Sequence, residues 1–332
     1  MQEAAAQEKP EQPDKSERLC PNCGADLRGP YCHACGQPTR SFIRALPGLV
    51  REIAGETLYY DSRMWRTLKT LLLQPGQLSR EYVFGKRARY TPPVRLYLVC
   101  SILAFLLIGL VINTTNVTPW TAQFDQADTG QESSAPSPPS APTFSFGEGN
   151  WDAETNPVEL GWLSERGNAW LNRQIQQIAD NSTEVQRNPA RLLRTAAGML
   201  PQTMFVLLPL FAILVGLFYL FSGRYYIEHL LLQVHNHSFL FLILIALYLI
   251  ASLRTEIIAA EITGGGLMAG TLGLMSFVIW TWIPVYLWIS LKRFYAQGWL
   301  MTTVKFLVLA WSYSMLITFG LVAVIVLGLW RL

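Results

Sequence analysis

The stretch LPQTMFVLLPLFAILVGLFYLF, Leu200 to Phe221, contains no Asp, Glu, Lys, Arg or His. About 20 such residues cross the hydrocarbon core of a bilayer, whereas a soluble helix of that length carries a polar face. Residues 96–112, 267–291 and 306–330 have the same character, and the run 238–253 spans if the preceding helical turn is included. Five spans follow, and the expected fold class is an all-α polytopic membrane protein.

Basic residues orient the spans. Arg80, Lys86, Arg87, Arg89 and Arg95 precede the first; Arg224 lies between the second and third; Lys292, Arg293 and Lys305 lie between the fourth and fifth. Between Leu96 and Glu165 there are eight acids and no Lys or Arg. The positive-inside rule puts the N-terminus in the cytoplasm and the C-terminus outside. Arg187, Arg191 and Arg194 run against it, but in a long loop, where charge counts less.

The N-terminal region carries a different signal. Cys20-Pro21-Asn22-Cys23-Gly24 and Cys32-His33-Ala34-Cys35-Gly36 are two Cys-x-x-Cys knuckles, the pattern of a structural zinc site. Each knuckle turns two thiolates toward one ion, and the following Gly permits the sharp turn. A ribbon over 19–37 with Cys20, Cys23, Cys32 and Cys35 as zinc ligands is expected. Free thiolates need a reducing compartment, which agrees with the charge-based topology. The chain has five cysteines; the fifth, Cys100, sits in an apolar run and reads as packing.

Residues 1–18 are polar, without the apolar core of a signal peptide, and read as a disordered tail. Residues 41–95 read as cytoplasmic amphipathic and interfacial helices. Phe42, Ile43, Leu46, Leu49, Val50 and Ile53 share one helical face, and Trp65, Leu68, Leu71 and Leu72 continue the pattern in a second helix that ends at Pro75-Gly76. Lys86, Arg87 and Arg89 beside these faces suit contact with anionic lipid head groups. Residues 113–199 form an extracytoplasmic loop. Its Pro/Ser-rich part, 113–150, reads as disordered and 157–180 as helical. Residues 222–237 read as a cytoplasmic connection. No internal repeat is evident. The sequons at Asn113, Asn116 and Asn181 bear on a eukaryotic protein; this chain reads as bacterial. A net charge of +3 is too small to argue for nucleic acid.

Three of the four histidines, His229, His235 and His237, fall within nine residues behind Glu228. They suggest a second metal or proton-handling site at the membrane surface. Interfacial capping and hydrogen bonding is the plainer account. On one continuous helix His235 and His237 lie on nearly opposite sides, so a shared ion needs a break near Asn236 or a ligand from elsewhere. Trp280 and Trp282 sit mid-span and read as bundle packing.

No nucleophile elbow, phosphate loop, dinucleotide fingerprint or His-Glu-x-x-His occurs. The span cores also lack the ionisable residues usual in pumps and ion-coupled transporters. The string Thr67-Leu68-Lys69-Thr70-Leu71-Leu72-Leu73-Gln74-Pro75-Gly76, then Tyr82, Gly85-Lys86-Arg87, Arg89-Tyr90, Pro93 and Arg95-Leu96-Tyr97-Leu98 resembles an uncharacterised family of bacterial membrane proteins, a domain of unknown function. The resemblance implies a zinc ribbon fused to several inner-membrane helices and implies no activity. The functional expectation is a non-enzymatic membrane scaffold or regulator whose ribbon binds a protein partner. The alternatives are a transporter or channel subunit, and a membrane metalloenzyme or metal-handling protein using Glu228, His229, His235 and His237.

Overall fold

A computed structural model describes residues 19–39, 62–114, 151, 155–187, 189–261 and 264–331. The expected tail (1–18), the amphipathic face from Phe42 to Ile53 and most of the Pro/Ser-rich loop lie outside the described residues. The described helices are α1 (Ser62–Leu73), α2 (Gln77–Val83), α3 (Pro93–Thr114), α4 (Glu165–Arg187), α5 (Pro189–Phe218), α6 (Tyr226–Ala259), α7 (Gly265–Tyr295) and α8 (Trp299–Arg331). Among the described residues there is no strand, only the isolated bridges Leu19–Asp26 and Tyr31–Pro38. Helices α3, α5, α6, α7 and α8 are long and apolar enough to cross a membrane. The chain is an all-α polytopic membrane protein with a cluster of four N-terminal cysteines.

The chain divides into two compact units. The first, Met1–Cys100 with Ala212–Leu309, holds the ribbon, α1, α2 and the α6–α7 pair. Helix α6 has 34 residues. At 1.5 Å per residue that is about 50 Å, well beyond the roughly 30 Å of hydrocarbon. The polar residues of α6 lie in its first turns and in its last, around Arg254 and Glu256. Residues 226–237, read from sequence as a connection between spans, are its first turns, continuous with the apolar part. His229, Gln233, His235, Asn236, His237 and Ser238 are all buried there. Packing against α1, α2 and α7 buries these groups.

The α1–α2 turn rests on one stripe of α7. Tyr286 Oη donates to the Leu71 carbonyl at 2.6 Å, and Arg293 Nη1 to the Pro75 carbonyl at 2.8 Å. Between them the turn meets the α7 backbone at Ser290. A Cβ on Gly76 would stand 2.6 Å from the Ser290 carbonyl oxygen, and Gly76 has φ +71°. Residues 286, 290 and 293 recur at i, i+4 and i+7, so they share a face. Helix ends leave carbonyls without intrahelical partners; α7 supplies the missing donor for Leu71 at the end of α1 and a donor for the Pro75 carbonyl in the turn. Phe239 of α6 stacks on Tyr286 with ring centroids 3.5 Å apart.

The second unit is Ser101–Phe211 with Ala310–Leu332. Within it α5 and α8 approach at Gly320, where a Cβ would meet Leu207 at 2.8 Å, and Phe211 packs on Tyr313 at 4.4 Å between centroids. One face of α4 caps the end of α8. Gln177 donates to the Trp330 carbonyl at 2.9 Å, Asn181 donates to the Leu329 carbonyl at 2.6 Å, and the Trp330 indole donates to Gln174. Buried Asn172 binds both backbone groups of Val158 and the Trp151 indole. Trp280 on α7 is 61% exposed and Trp282 39%, so Trp280 leaves most of its surface outside the chain while Trp282 is covered over the larger part of its own.

Candidate metal centre

The two knuckles share one backbone design. In the first, the Cys20 amide donates to the Ala25 carbonyl and the Gly24 amide to the Cys20 carbonyl, each at 2.8 Å. In the second, the Cys32 amide donates to the Gln37 carbonyl and the Gly36 amide to the Cys32 carbonyl, again at 2.8 Å. Gly24 and Gly36 have φ of +77° and +71°, the left-handed turn glycine adopts without strain. Even the flanking bridges correspond, Leu19 with Asp26 and Tyr31 with Pro38. The ribbon is thus a two-fold repeat in backbone geometry, extending the shared Cys-x-x-Cys-Gly pattern to the hydrogen bonds and flanking bridges.

The four sulfurs lie within 4.8 Å of one another. Cys20 and Cys35 Sγ are 3.6 Å apart, Cys23 and Cys32 Sγ 3.5 Å. A tetrahedron with metal–sulfur bonds of about 2.3 Å has edges of roughly 3.8 Å, so the set fits one ion with each knuckle contributing two ligands. Cys20 and Cys32 are buried, Cys35 is half-buried and Cys23 exposed. Burial pushes the Cys35 thiol up, but the Gln37 amide, the Asn22 side chain and the neighbouring thiols outweigh it and bring it to about 7. At Cys23 the Ala25 amide pulls down, while desolvation and the thiols of Cys32, Cys35 and Cys20 push it up to about 12.

The ribbon is seated on its own chain. Gln37 Nε2 donates to the Gly85 carbonyl at 2.7 Å, and Gln37 Oε1 accepts the amides of Arg87 and Ala88 at 3.1 and 3.0 Å. Gln37 is buried. From the first knuckle Pro21 lies against Gly85, where a Cβ would stand 2.9 Å from the proline ring. Gly85 has φ +95°. Nothing in the sequence pointed to Gln37, a polar residue after a glycine, and Gly85 stood out only as part of the Gly85-Lys86-Arg87 string.

The histidine segment behaves otherwise. Helix α6 runs unbroken through Asn236, and the three imidazoles go to separate partners. His229 Nδ1 pairs with Tyr295 Oη, His235 Nδ1 lies 2.8 Å from Ser79 Oγ, and His237 Nδ1 lies 2.8 Å from the Gln233 carbonyl. Glu228 is ion-paired to Arg224 at 3.1 Å, whose other nitrogen donates to the Phe294 carbonyl. Asn236 Oδ1 accepts from Ser290 of α7 at 2.9 Å. Among the described residues, the only group of three or more ligating side chains placed to share an ion is the four cysteines. The segment stitches α6 to α2, α5 and α7, with His229 under Gly216.

Residues 61–105 match a family described as a protein of unknown function, DUF3667. The match covers α1, α2, the connecting strap of residues 84–92 and the first half of α3. Its Gln74-Pro75-Gly76 turn is the part seated on α7, and Gly85-Lys86-Arg87 the part held by Gln37. No curated protein and no solved structure matches the chain.

Proposed function

We propose that the chain is a non-enzymatic scaffold or regulator of the bacterial inner membrane, with N-terminus cytoplasmic, C-terminus outside, and a zinc ion held by Cys20, Cys23, Cys32 and Cys35. The observation that carries this reading is the closed thiol set. Four sulfurs fill four tetrahedral positions and leave none for water or substrate, so the metal serves as a cross-link. The fate of the histidine segment supports it too, since its polar groups hold helices together. The test is metal content per chain, beside a truncation lacking residues 1–40 and a partner search by affinity purification from native membranes. One zinc, lost on truncation, and a partner retained only by the full chain are expected. A metal that survives the truncation would favour the metalloenzyme reading, and uptake or conductance in proteoliposomes the transporter reading.

A second reading concerns lipid. Lys86, Arg87 and Arg89 stand immediately before α3, a membrane-length helix, and the Lys86 side chain is 41% exposed although within 3.6 Å of Glu81. Cations so placed favour anionic head groups by about 1 kcal/mol each. Replacing all three with Gln should reduce anionic phospholipid co-purified per chain; unchanged lipid content would count against the contact.

A further inference from the structure

Both knuckles converge on one short backbone segment. The first places Pro21 against Gly85, and the second extends Gln37 so that one amide side chain meets one carbonyl and two N–H groups of Gly85–Ala88. The position of Gln37 is set by the knuckle that precedes it. Its carbonyl receives the Cys32 amide, and the adjacent Gly36 amide returns to Cys32. A module of this size buries too little apolar surface to fold unaided, and metal binding supplies its folding free energy. The surface that grips the strap therefore exists only while the thiols are held together.

We propose that the four-cysteine module is a clamp acting in cis, whose partner is the chain's own Gly85–Ala88 backbone and whose grip depends on bound metal. Loss of the metal frees the strap that carries Lys86, Arg87 and Arg89 and leads into α3. This rests on the reading that the cysteines hold a metal. It narrows the role of the ribbon, because the face bearing Pro21 and Gln37 is already occupied and an outside protein partner must use another. The strap has further supports, the Lys86 amide on the Glu81 carbonyl and the Gly85 amide on the Tyr82 carbonyl. These belong to the end of α2 and survive release. What the clamp alone supplies is the partner of the Ala88 amide.

The experiment is hydrogen exchange of the full chain in detergent, read at Ala88, with elemental analysis of the same samples. Zinc-loaded protein, chelated protein, chelated protein with zinc restored, and the variants Gln37→Ala and Gly85→Ala are compared. Chelation should speed exchange at Ala88 at least tenfold, and zinc should restore protection in the unmodified chain. Gln37→Ala should exchange fast while keeping its zinc, which separates the clamp from the metal site. Protection at Ala88 that is unchanged after the zinc has left overturns the clamp. A chain that takes up no zinc overturns the metal reading beneath it, and the elemental analysis tells these failures apart. The chelation arm stands even if either variant misfolds.

Discussion

Ser79 and His235 stand 156 residues apart in the chain, and their side chains meet at 2.8 Å, Oγ to Nδ1. The pair joins α2 to α6 in a fully buried setting, Ser79 being 1% exposed and His235 2%. His235 Nε2 has no hydrogen-bond partner among the described residues. Ser79→Ala would therefore strand both ring nitrogens, at a cost of about 1–3 kcal/mol. Adding His235→Phe removes the stranded group and should recover part of the loss. Thermal unfolding of the single and double variants in detergent checks this; additive losses would show that the pair is not coupled.

Gly76→Ala should destabilise the chain more than its one carbon suggests. The left-handed φ costs an alanine on the order of 1–3 kcal/mol, and the added Cβ would overlap the Ser290 backbone, which cannot rotate away. The expected result is a lowered melting temperature, with exchange quickening first in α1, α2 and the middle of α7. Normal stability would mean that the turn is not pressed on α7.

Cys20→Ser with Cys23→Ser removes half of the thiol set. The expected outcome is loss of the bound metal and rapid proteolysis within residues 19–39, while the five membrane helices stay inserted and resistant. Survival of the ribbon against protease without metal would refute the cross-link account.

Acid should loosen the α2 region through Glu81. Its carboxylate accepts from Tyr90 Oη at 2.6 Å and from Gln77 at 2.8 Å. Burial pushes it up, but these bonds and the charges of Lys86 and Arg89 outweigh burial and hold it below the ordinary carboxylate range. A depressed carboxyl contributes stability above its unfolded value, roughly 4.3, and loses it as pH falls through the folded value. Protection factors at α2, taken relative to the intrinsic exchange rate at each pH, should fall on acidification through that window, with a shallower dependence in Tyr90→Phe. Parallel profiles for the two proteins would discount the bond.

At the other unit, Asn181→Ala should free the Leu329 carbonyl and fray the last turn of α8. A loss near 1 kcal/mol is expected, seen as faster exchange confined to the end of α8. No change there would mean that water replaces the side chain without cost.

The membrane-length helices and the four cysteines were legible because each is a local property. Apolar run length reports spanning capacity, and Cys-x-x-Cys spacing reports which sulfurs a turn can bring together. The histidine segment was legible only as polar. Its spacing showed that one continuous helix cannot gather His229, His235 and His237, and α6 is continuous there. Whether those groups met water, metal or other helices depended on Ser79, Tyr295 and Ser290, which lie far away in sequence.

Sequence by itself determined the fold class and the four-cysteine cluster, since hydrophobic length and Cys-x-x-Cys spacing act within a few turns of chain. Tertiary structure decided what the polar residues do. A buried donor or acceptor must find a partner, and the partners here come from distant elements: Gln37 for Arg87 and Ala88, Tyr286 for Leu71, Arg293 for Pro75. Those pairings are fixed by which helices pack together, a property of the whole chain that no local pattern carries.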